Sequence, residues 1–227
     1  MQINRAELKG FAKQLLHNNY WNMVLAGLVL AFATARLAVN ASVTTYGDDI
    51  AERVSYWELL GALIAAAVVI LFRLFVMYPL TYSGTEYFMR NTEGNAQTSF
   101  GSGFESETLK RCIRTFVFRD VMVFLFSLLF IVPGIIKAYE YYFTAQLLVD
   151  HPEMSGKEVC DLSRQMTNGR KMELFKLDLS FILWQIGSAM TWGLLGVLYA
   201  NPYMYQTQAL AYHDLVAQGC DPTRPAA

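Results

Sequence analysis

Four long apolar stretches, separated by polar and charged segments, run along the chain. A helix needs about 20 mainly apolar residues to cross about 30 Å of hydrocarbon, and the stretches at 21–39 and 57–78 have this length. The stretches at 116–149 and 174–215 are too long for one crossing, since the first, with 34 residues, would extend about 51 Å as a single helix. Each of these two stretches is therefore predicted to contain two helices.

A Pro-Gly pair interrupts the third stretch near its middle. Pro133 cannot donate to the helical hydrogen-bond ladder and clashes with the carbonyl four residues earlier, and Gly134 tolerates turn geometry. We predict a hairpin turn at this pair, between spans at 116–132 and 134–150. The segment Thr-Trp-Gly at 191–193 is the predicted turn of the last stretch, between spans at 174–190 and 193–213.

Basic residues alternate with the apolar stretches in a way that orients the predicted spans. The positive-inside rule places Lys and Arg on the cytoplasmic side. With both termini inside, most of the 18 Lys and Arg residues fall on that side. A single span at 116–149 would instead put two basic segments on opposite sides. The sequence thus predicts an all-α polytopic membrane protein with six spans in three helical hairpins.

Three short segments with basic residues show the stripe of an amphipathic helix. The apolar positions of the stripes are Leu8, Phe11, Ala12, Leu15 and Leu16, then Leu109, Cys112, Ile113, Phe116 and Val117, then Val159, Leu162 and Met166. Such helices lie in the membrane interface, with the basic face toward anionic lipid, or pack on the protein's own bundle. The first interpretation makes anionic lipid headgroups at the cytoplasmic face the expected partner.

Composition and motifs exclude several classes of function. The formal net charge of −1 argues against a nucleic-acid partner, because phosphate neutralisation needs a basic excess. The three Cys and three His residues are dispersed, without metal-ligand spacing or a disulfide pattern. No catalytic motif or phosphate-binding Gly loop is present. We therefore expect no enzyme activity and no cofactor.

Charged residues inside predicted spans are costly and are the default functional candidates. They are Arg36, Arg73, Lys137, Glu140 and Asp178, with Glu86 just beyond the second span. Lys137 and Glu140, three residues apart, can pair on one helix face. Arg73 and Asp178 have similar predicted depth in different spans and could pair across helices. These charges either hold the bundle together or line a polar cavity.

Two further proline sites resemble each other. Pro79 and Pro202 are predicted structural breaks that each precede a helical tail rich in tyrosine, and a helix kink at a proline frees carbonyls that need partners. Tyr205 and Gln208 could supply such partners or line a cavity, although an interfacial aromatic belt also explains the tyrosines. Residues 91–103 are predicted to be a flexible cytoplasmic loop, and 221–227 a disordered tail.

Three segments together resemble a bacterial family. They read RAELKGFAKQLLHNNYW, FIVPGIIKAYEYYFTAQLLVDHPEMSGKEVCDLSRQMTNGRKMELFKLDLSFI and NPYMYQTQALAY. The chain is similar to the domain of unknown function 975 family of bacterial integral membrane proteins. The resemblance implies an inner-membrane helical bundle and no reaction. We expect an accessory or scaffold protein that interacts with lipid, or alternatively a small transporter or flippase-like protein.

Overall fold

The computed structural model describes residues 5–34, 56–95 and 101–223, and all the secondary structure in that part of the chain is helical. The all-α prediction is confirmed. The helices are α1 Arg5–Asn18, α2 Tyr20–Thr34, α3 Tyr56–Phe72, α4 Tyr78–Thr92, α5 Ser106–Leu129, α6 Ile131–Glu140, α7 Thr144–Asp150, α8 Gly156–Met166, α9 Lys171–Leu179, α10 Ile182–Met190 and α11 Asn201–Ala217. Two π-helical segments, Arg73–Met77 and Gly196–Ala200, and a 3-10 turn, Ser102–Phe104, complete the described elements.

Helices α3 and α4 form one uninterrupted rod, because the π segment Arg73–Met77 joins them without a gap. Within the described ranges, Leu60–Thr92 is the one helix that is long and apolar enough to cross a membrane, and only 6% of its most apolar window is buried. Helix α2 packs antiparallel to α4, with Leu30 against Gly84 and Asn19 against Asn91.

Helix α5 and the pair α6–α7 form an antiparallel hairpin. The chain reverses at Phe130, whose extended backbone separates α5 from α6. Ser127 lies against Gly134 close to this turn, and Arg111, far from it, donates to the carbonyl of His151 at 2.9 Å. Residues before Phe130 thus contact residues at a similar sequence distance after it, which shows that the two helical arms run in opposite directions.

The position of this turn corrects the sequence prediction. Pro133 lies in the first turn of α6, where a missing N–H costs no intrahelical hydrogen bond. Gly134 is needed for close packing, because an added Cβ would collide with Ser127 of the opposite arm. The pair therefore begins the second arm, and the reversal itself falls three residues earlier, at Phe130.

The predicted turn in the last apolar stretch is confirmed. Trp192 and Gly193 both have positive φ, 53° and 85°, between α10 and the second π segment. Gly196 then packs against Ser188, so that the chain doubles back along α10.

The predicted spans at 134–150 and 174–190 are not continuous helices. Residues 141–143 separate α6 from α7, and residues 180–181 separate α9 from α10. By contrast, α5 is longer than predicted, because it joins the second amphipathic segment and the third span in one helix of 24 residues.

A packed core lies where α1, α4, α7, α8, α11 and the first half of α5 meet. The three amphipathic stripes face this core, with Ala12, Leu16, Cys112, Phe116, Val159, Leu162 and Met166 all buried. Phe11 is an exception and remains exposed. The stripes therefore pack on the protein's own bundle, and the interpretation that they face lipid is wrong for these residues.

A large apolar surface remains outside this core. It covers α3, the turn between α5 and α6, and α9 with α10. Its exposed side chains include Leu63, Val68, Leu71, Phe124, Leu128, Phe130, Ile131, Val132, Leu183, Ile186, Met190 and Trp192. We call this set the exposed apolar surface.

The predicted flexible loop at 91–103 and the predicted disordered tail at 221–227 are partly ordered. Within 91–103, Asn91 is buried at the end of α4, and Gly103 packs so closely on the Pro79 backbone that a Cβ would collide there; residues 96–100 lie outside the described part. In the tail, Asp221 is buried and accepts hydrogen bonds from the backbone and hydroxyl of Thr223. Residues 224–227 lie outside the described part.

Candidate functional site

Three cations surround the buried carboxylate of Glu140. Lys137 Nζ lies 2.5 Å from Oε2, and Lys171 Nζ lies 2.7 Å from Oε1. Arg164 Nε is 3.7 Å from Oε2. The pairing of Lys137 with Glu140 was predicted from their spacing and is confirmed. We call these four residues, which lie on α6, α8 and α9, the Glu140 cluster. Its three positive charges face one negative charge, so it has a positive excess.

The cluster lies at a break between α6 and α7. The Glu140 carbonyl accepts hydrogen bonds from Ser163 Oγ at 2.9 Å and Thr167 Oγ1 at 3.3 Å, and the Phe143 N–H donates to Ser163 Oγ at 3.3 Å. A broken helix leaves buried backbone groups that need partners. Here the hydroxyls of α8 supply them, which stabilises the break and holds Glu140 beside Arg164.

Asp178 lies on the neighbouring helix α9 and is bound by two tyrosines. It accepts hydrogen bonds from Tyr142 at 2.7 Å and Tyr139 at 3.1 Å, and these two rings are stacked. The side chain of Gln208 on α11 lies close to the Tyr142 hydroxyl. This Asp178 group and the Glu140 cluster both contain residues of α6 and α9, which pack against each other.

Arg73 does not pair with Asp178, which corrects the predicted pair. Its guanidinium lies 2.6 Å from Asp120 on α5, and Arg119 contacts the other oxygen of the same carboxylate at 2.8 Å. The Tyr78 hydroxyl also donates to Asp120, at 3.0 Å. Sequence reasoning missed Asp120, although its place in the apolar run TFVFRDVMVF is a signal of the same kind that marked Arg73.

Glu86 is buried away from both groups and ties a loop to α4. It pairs with Arg90 one turn later and accepts a hydrogen bond from Ser102 in the 3-10 turn. These partners satisfy the buried carboxylate of Glu86, so its role is structural. Tyr205 also lies elsewhere, with its ring 5.8 Å from that of Phe88. Arg36 lies outside the described residues.

A buried amide network, which contains no charge, was not predicted. Asn91 donates to the Gln206 carbonyl oxygen at 2.8 Å and accepts from Asn19 at 3.0 Å. Gln206 donates to Thr92 at 2.7 Å. Three helices, α2, α4 and α11, meet at this network. Neither charge nor spacing distinguishes these amides from the other polar residues of the sequence.

At Pro79 and Pro202, predicted as structural breaks with kinks, the helices continue through the proline. A π segment ends two residues before each proline. The wider turn appears as i→i−5 hydrogen bonds from the Tyr78 N–H to the Arg73 carbonyl and from the Asn201 N–H to the Gly196 carbonyl. The π turn accommodates the proline ring without ending the helix. The same local structure at both sites strengthens the predicted resemblance between the two proline-containing helices.

The described residues contain no group of three or more His, Cys, Asp or Glu side chains placed to hold a metal ion. Burial raises the pKa of Cys112 to about 12 and that of Cys160 to about 11. Reactive cysteines need a lowered pKa and access to solvent, so these two thiols have neither property. The Glu140 cluster and the Asp178 group therefore provide charges and hydrogen-bonding groups.

The fold and these polar groups define a helical bundle with broken helices, a paired-charge interior and a large exposed apolar surface. The chain belongs to the family described as Protein of unknown function (DUF975), whose sequence profile matches residues 98–218, more than half of the chain. The matched part contains the Glu140 cluster and Asp178 but not α1 to α4. No curated protein and no solved structure matches the chain.

Proposed function

We propose that the protein is a polytopic protein of the bacterial inner membrane that acts without catalysis, as an accessory or scaffold component that interacts with lipid. The exposed apolar surface carries this proposal. In water, contiguous apolar patches beyond a few hundred Å² are rare unless a partner covers them. A bilayer covers such a surface without any specific partner, and α3, with its long exposed apolar face, is the best fitted to cross it.

The charged groups support the proposal by their position. Arg73, Arg119 and Asp120 form one paired group at the inner border of the exposed apolar surface. Paired charges lower the cost of placing a carboxylate near hydrocarbon. The tips at Phe130 and Trp192 contain no charge. In the six-span topology, the paired charges lie toward the cytoplasm and both tips toward the opposite surface.

Cysteine labelling in cells tests this topology. The native Cys112 and Cys160 are buried, so replacing Cys220 by Ser gives a background with little reactivity. We expect Glu107→Cys and Lys157→Cys to react with a membrane-impermeant maleimide only after the inner membrane is opened. Ile131→Cys and Trp192→Cys lie at the two uncharged tips, which the proposed topology places at the outer surface of the membrane, and are expected to react from outside. Labelling of positions 107 and 157 from opposite sides would overturn the topology.

Extraction of membranes with alkaline carbonate tests the membrane location itself. We expect the protein to stay in the membrane pellet, as integral proteins do. Complete release into the supernatant would contradict the proposal, because an embedded helix such as α3 has no polar surface with which to leave the bilayer.

A second candidate function, transport or lipid flipping, is favoured by one observation: Glu140 lies at a broken helix beside an excess of cations. Transporters often place their binding sites at discontinuous helices near the middle of the membrane. In proteoliposomes with fluorescent phospholipid, this function predicts movement between leaflets that Glu140→Gln abolishes. Glu107→Gln is the matched control, since Glu107 forms the same three-residue pair with Lys110 at an exposed site. The scaffold function predicts no movement above that of protein-free liposomes.

A further inference from the structure

A cavity of about 800 Å³, open on one side, lies between α1 and the π segment Gly196–Ala200. Its wall includes Gly10, Lys13, Gln14 and His17 of α1, which follow the i, i+3, i+4, i+7 spacing of one helix face. Tyr199 of the π segment stands opposite. The basic face of α1, whose apolar stripe is buried in the core, thus forms one side of a cavity of the size that binds small molecules.

The chemistry of the wall is that of a site for an anion. None of the described residues that line it is acidic. Lys13 supplies a positive charge and has no ion pair with any residue that the structure describes. His17, Gln14 and Tyr20 add hydrogen-bonding groups. A phosphate group fits this combination of one cation and several neutral donors.

An apolar path leads away from the cavity along α2. The ring of Tyr20, in the cavity wall, contacts the ring of Trp21, with centroids 5.3 Å apart. Trp21, Leu25 and Leu28 are exposed and follow the i, i+4, i+7 spacing of one face. The polar cavity and the apolar stripe are therefore continuous. A lipid, whose polar headgroup is joined to an apolar acyl chain, requires such an arrangement.

We propose that this cavity binds one phospholipid with an anionic headgroup, with its phosphate at Lys13 and His17 and an acyl chain along Trp21, Leu25 and Leu28. This inference rests on the proposed membrane location and names a specific lipid site within it. Charge complementarity favours an anionic phospholipid over a zwitterionic one, because none of the described residues in the wall beside Lys13 is a carboxylate.

Gly10 offers a way to close the cavity without changing charge. An added Cβ at this position meets no atom within 4 Å, and Gly10 has an ordinary helical backbone. Gly10→Phe should therefore fold, because replacing a helical glycine also improves helix propensity, and its ring should fill the space beside Lys13. Lys13→Gln removes the positive charge, and Lys157→Gln, at an exposed site on α8, is the matched control.

Native mass spectrometry of the detergent-purified full chain, titrated with phosphatidylglycerol or phosphatidylcholine, tests the site. We expect one phosphatidylglycerol to bind most tightly, Lys13→Gln to weaken it about fivefold, and Gly10→Phe to abolish this preference. Lys157→Gln should bind as the unaltered chain does. Equal binding by all four proteins, or equal affinity for both lipids, would overturn the inference.

A competition arm identifies the source of the phosphate. If the site is for lipid, inorganic phosphate at the same concentration should not displace phosphatidylglycerol, because it lacks contact with the α2 stripe. Displacement by inorganic phosphate would overturn the lipid site in favour of a free-anion site. Retention of the protein in carbonate-washed membranes, together with equal phosphatidylglycerol binding by all the variants, would refute this inference and leave the proposed function in place. Release by carbonate would contradict the proposed function.

Discussion

Helices α3 and α4 belong to one uninterrupted rod and yet have opposite surroundings. Helix α3 is the more apolar of the two, and Leu63, Val68 and Leu71 on it are exposed. Helix α4 contains Glu86 and Asn91 and is largely buried, including both of these polar residues. The relation between polarity and burial is the reverse of that in a water-soluble protein, where apolar side chains are the ones most often buried.

This difference shows that the environment changes along the rod. Around α4, the neighbouring helices α2, α7 and α11 supply hydrogen-bond partners for polar groups. Around α3, the other described helices make few contacts, and in the proposed membrane location hydrocarbon would cover its apolar side chains. The π segment Arg73–Met77, anchored through Arg73 to Asp120, marks the boundary between the exposed and the buried part of the rod.

The largest effect that tests this comparison is expected from a charge on α3. Val68→Lys places an ammonium group near the centre of the proposed span, at a position that is 58% exposed. A lysine there costs about 3 kcal/mol on insertion scales. We therefore expect less protein in the membrane fraction and more degradation, measured by immunoblotting of carbonate-washed membranes.

Phe104→Lys is the control for this prediction. Phe104 is also exposed, at 43%, but it lies in the 3-10 turn outside the proposed spans, so its replacement should leave the membrane fraction unchanged. If Val68→Lys instead raised the yield of protein in free solution, α3 would face water, and the comparison between α3 and α4 would lose its basis.

A smaller effect is expected on the buried side of the same rod. Asn91→Leu leaves the Gln206 and Asn19 amides without their partner, and an unsatisfied buried polar group costs about 2 kcal/mol. The thermal midpoint of the purified protein should fall by several degrees. Asn95→Leu, at an exposed position three residues beyond α4, should leave it unchanged. An equal midpoint for both variants would show that the amide network contributes nothing to stability.

Local chemistry explains which parts of the fold could be predicted from the sequence. The turns at Thr191 to Gly193 and near Pro133 interrupt apolar stretches that are too long for single helices. The length of these stretches therefore predicts both turns. Lys137 and Glu140 lie on one helix, where spacing alone determines that they meet. These features depend on residues close together in the chain.

The remaining features depend on contacts between helices. Arg73 pairs with Asp120, 47 residues away, and only the relative register of two helices selects that partner over Asp178. The break after Glu140 is stabilised by hydroxyls of α8, which no local pattern indicates. An amphipathic stripe shows which face of a helix is apolar but does not show what covers it, and for α1, α5 and α8 the cover is protein.

The tail beyond α11 shows how far the polar, closely packed part of the molecule extends. Asp221 is buried against His151, with Oδ2 3.0 Å from Nε2, and His151 also contacts Glu153. Burial acts to raise the pKa of Asp221, but hydrogen bonds from Thr223 and the contact with His151 outweigh it and hold the pKa below the usual value. The ionised carboxylate therefore stabilises the docked tail.

The smallest predicted effect concerns the release of this tail. The pKa of Asp221 is lower in the folded protein than in the unfolded chain. Its stabilisation of the docked tail is therefore complete above the unfolded pKa of about 3.9 and is lost as the pH falls through the lower folded pKa. Cys220 reports the release, since it is partly exposed whereas Cys112 and Cys160 are buried. Dithiodipyridine, which reacts with thiols in acid, should label Cys220 faster as the pH falls from about 5 to about 3, relative to unfolded protein.

In the Asp221→Asn variant, Cys220 should be labelled quickly over this whole range, because the substitution removes the charge that holds the tail. Slow labelling of Asp221→Asn at every pH would mean that the tail is held by other contacts, and the polar, packed part of the molecule would then not depend on this carboxylate at its edge.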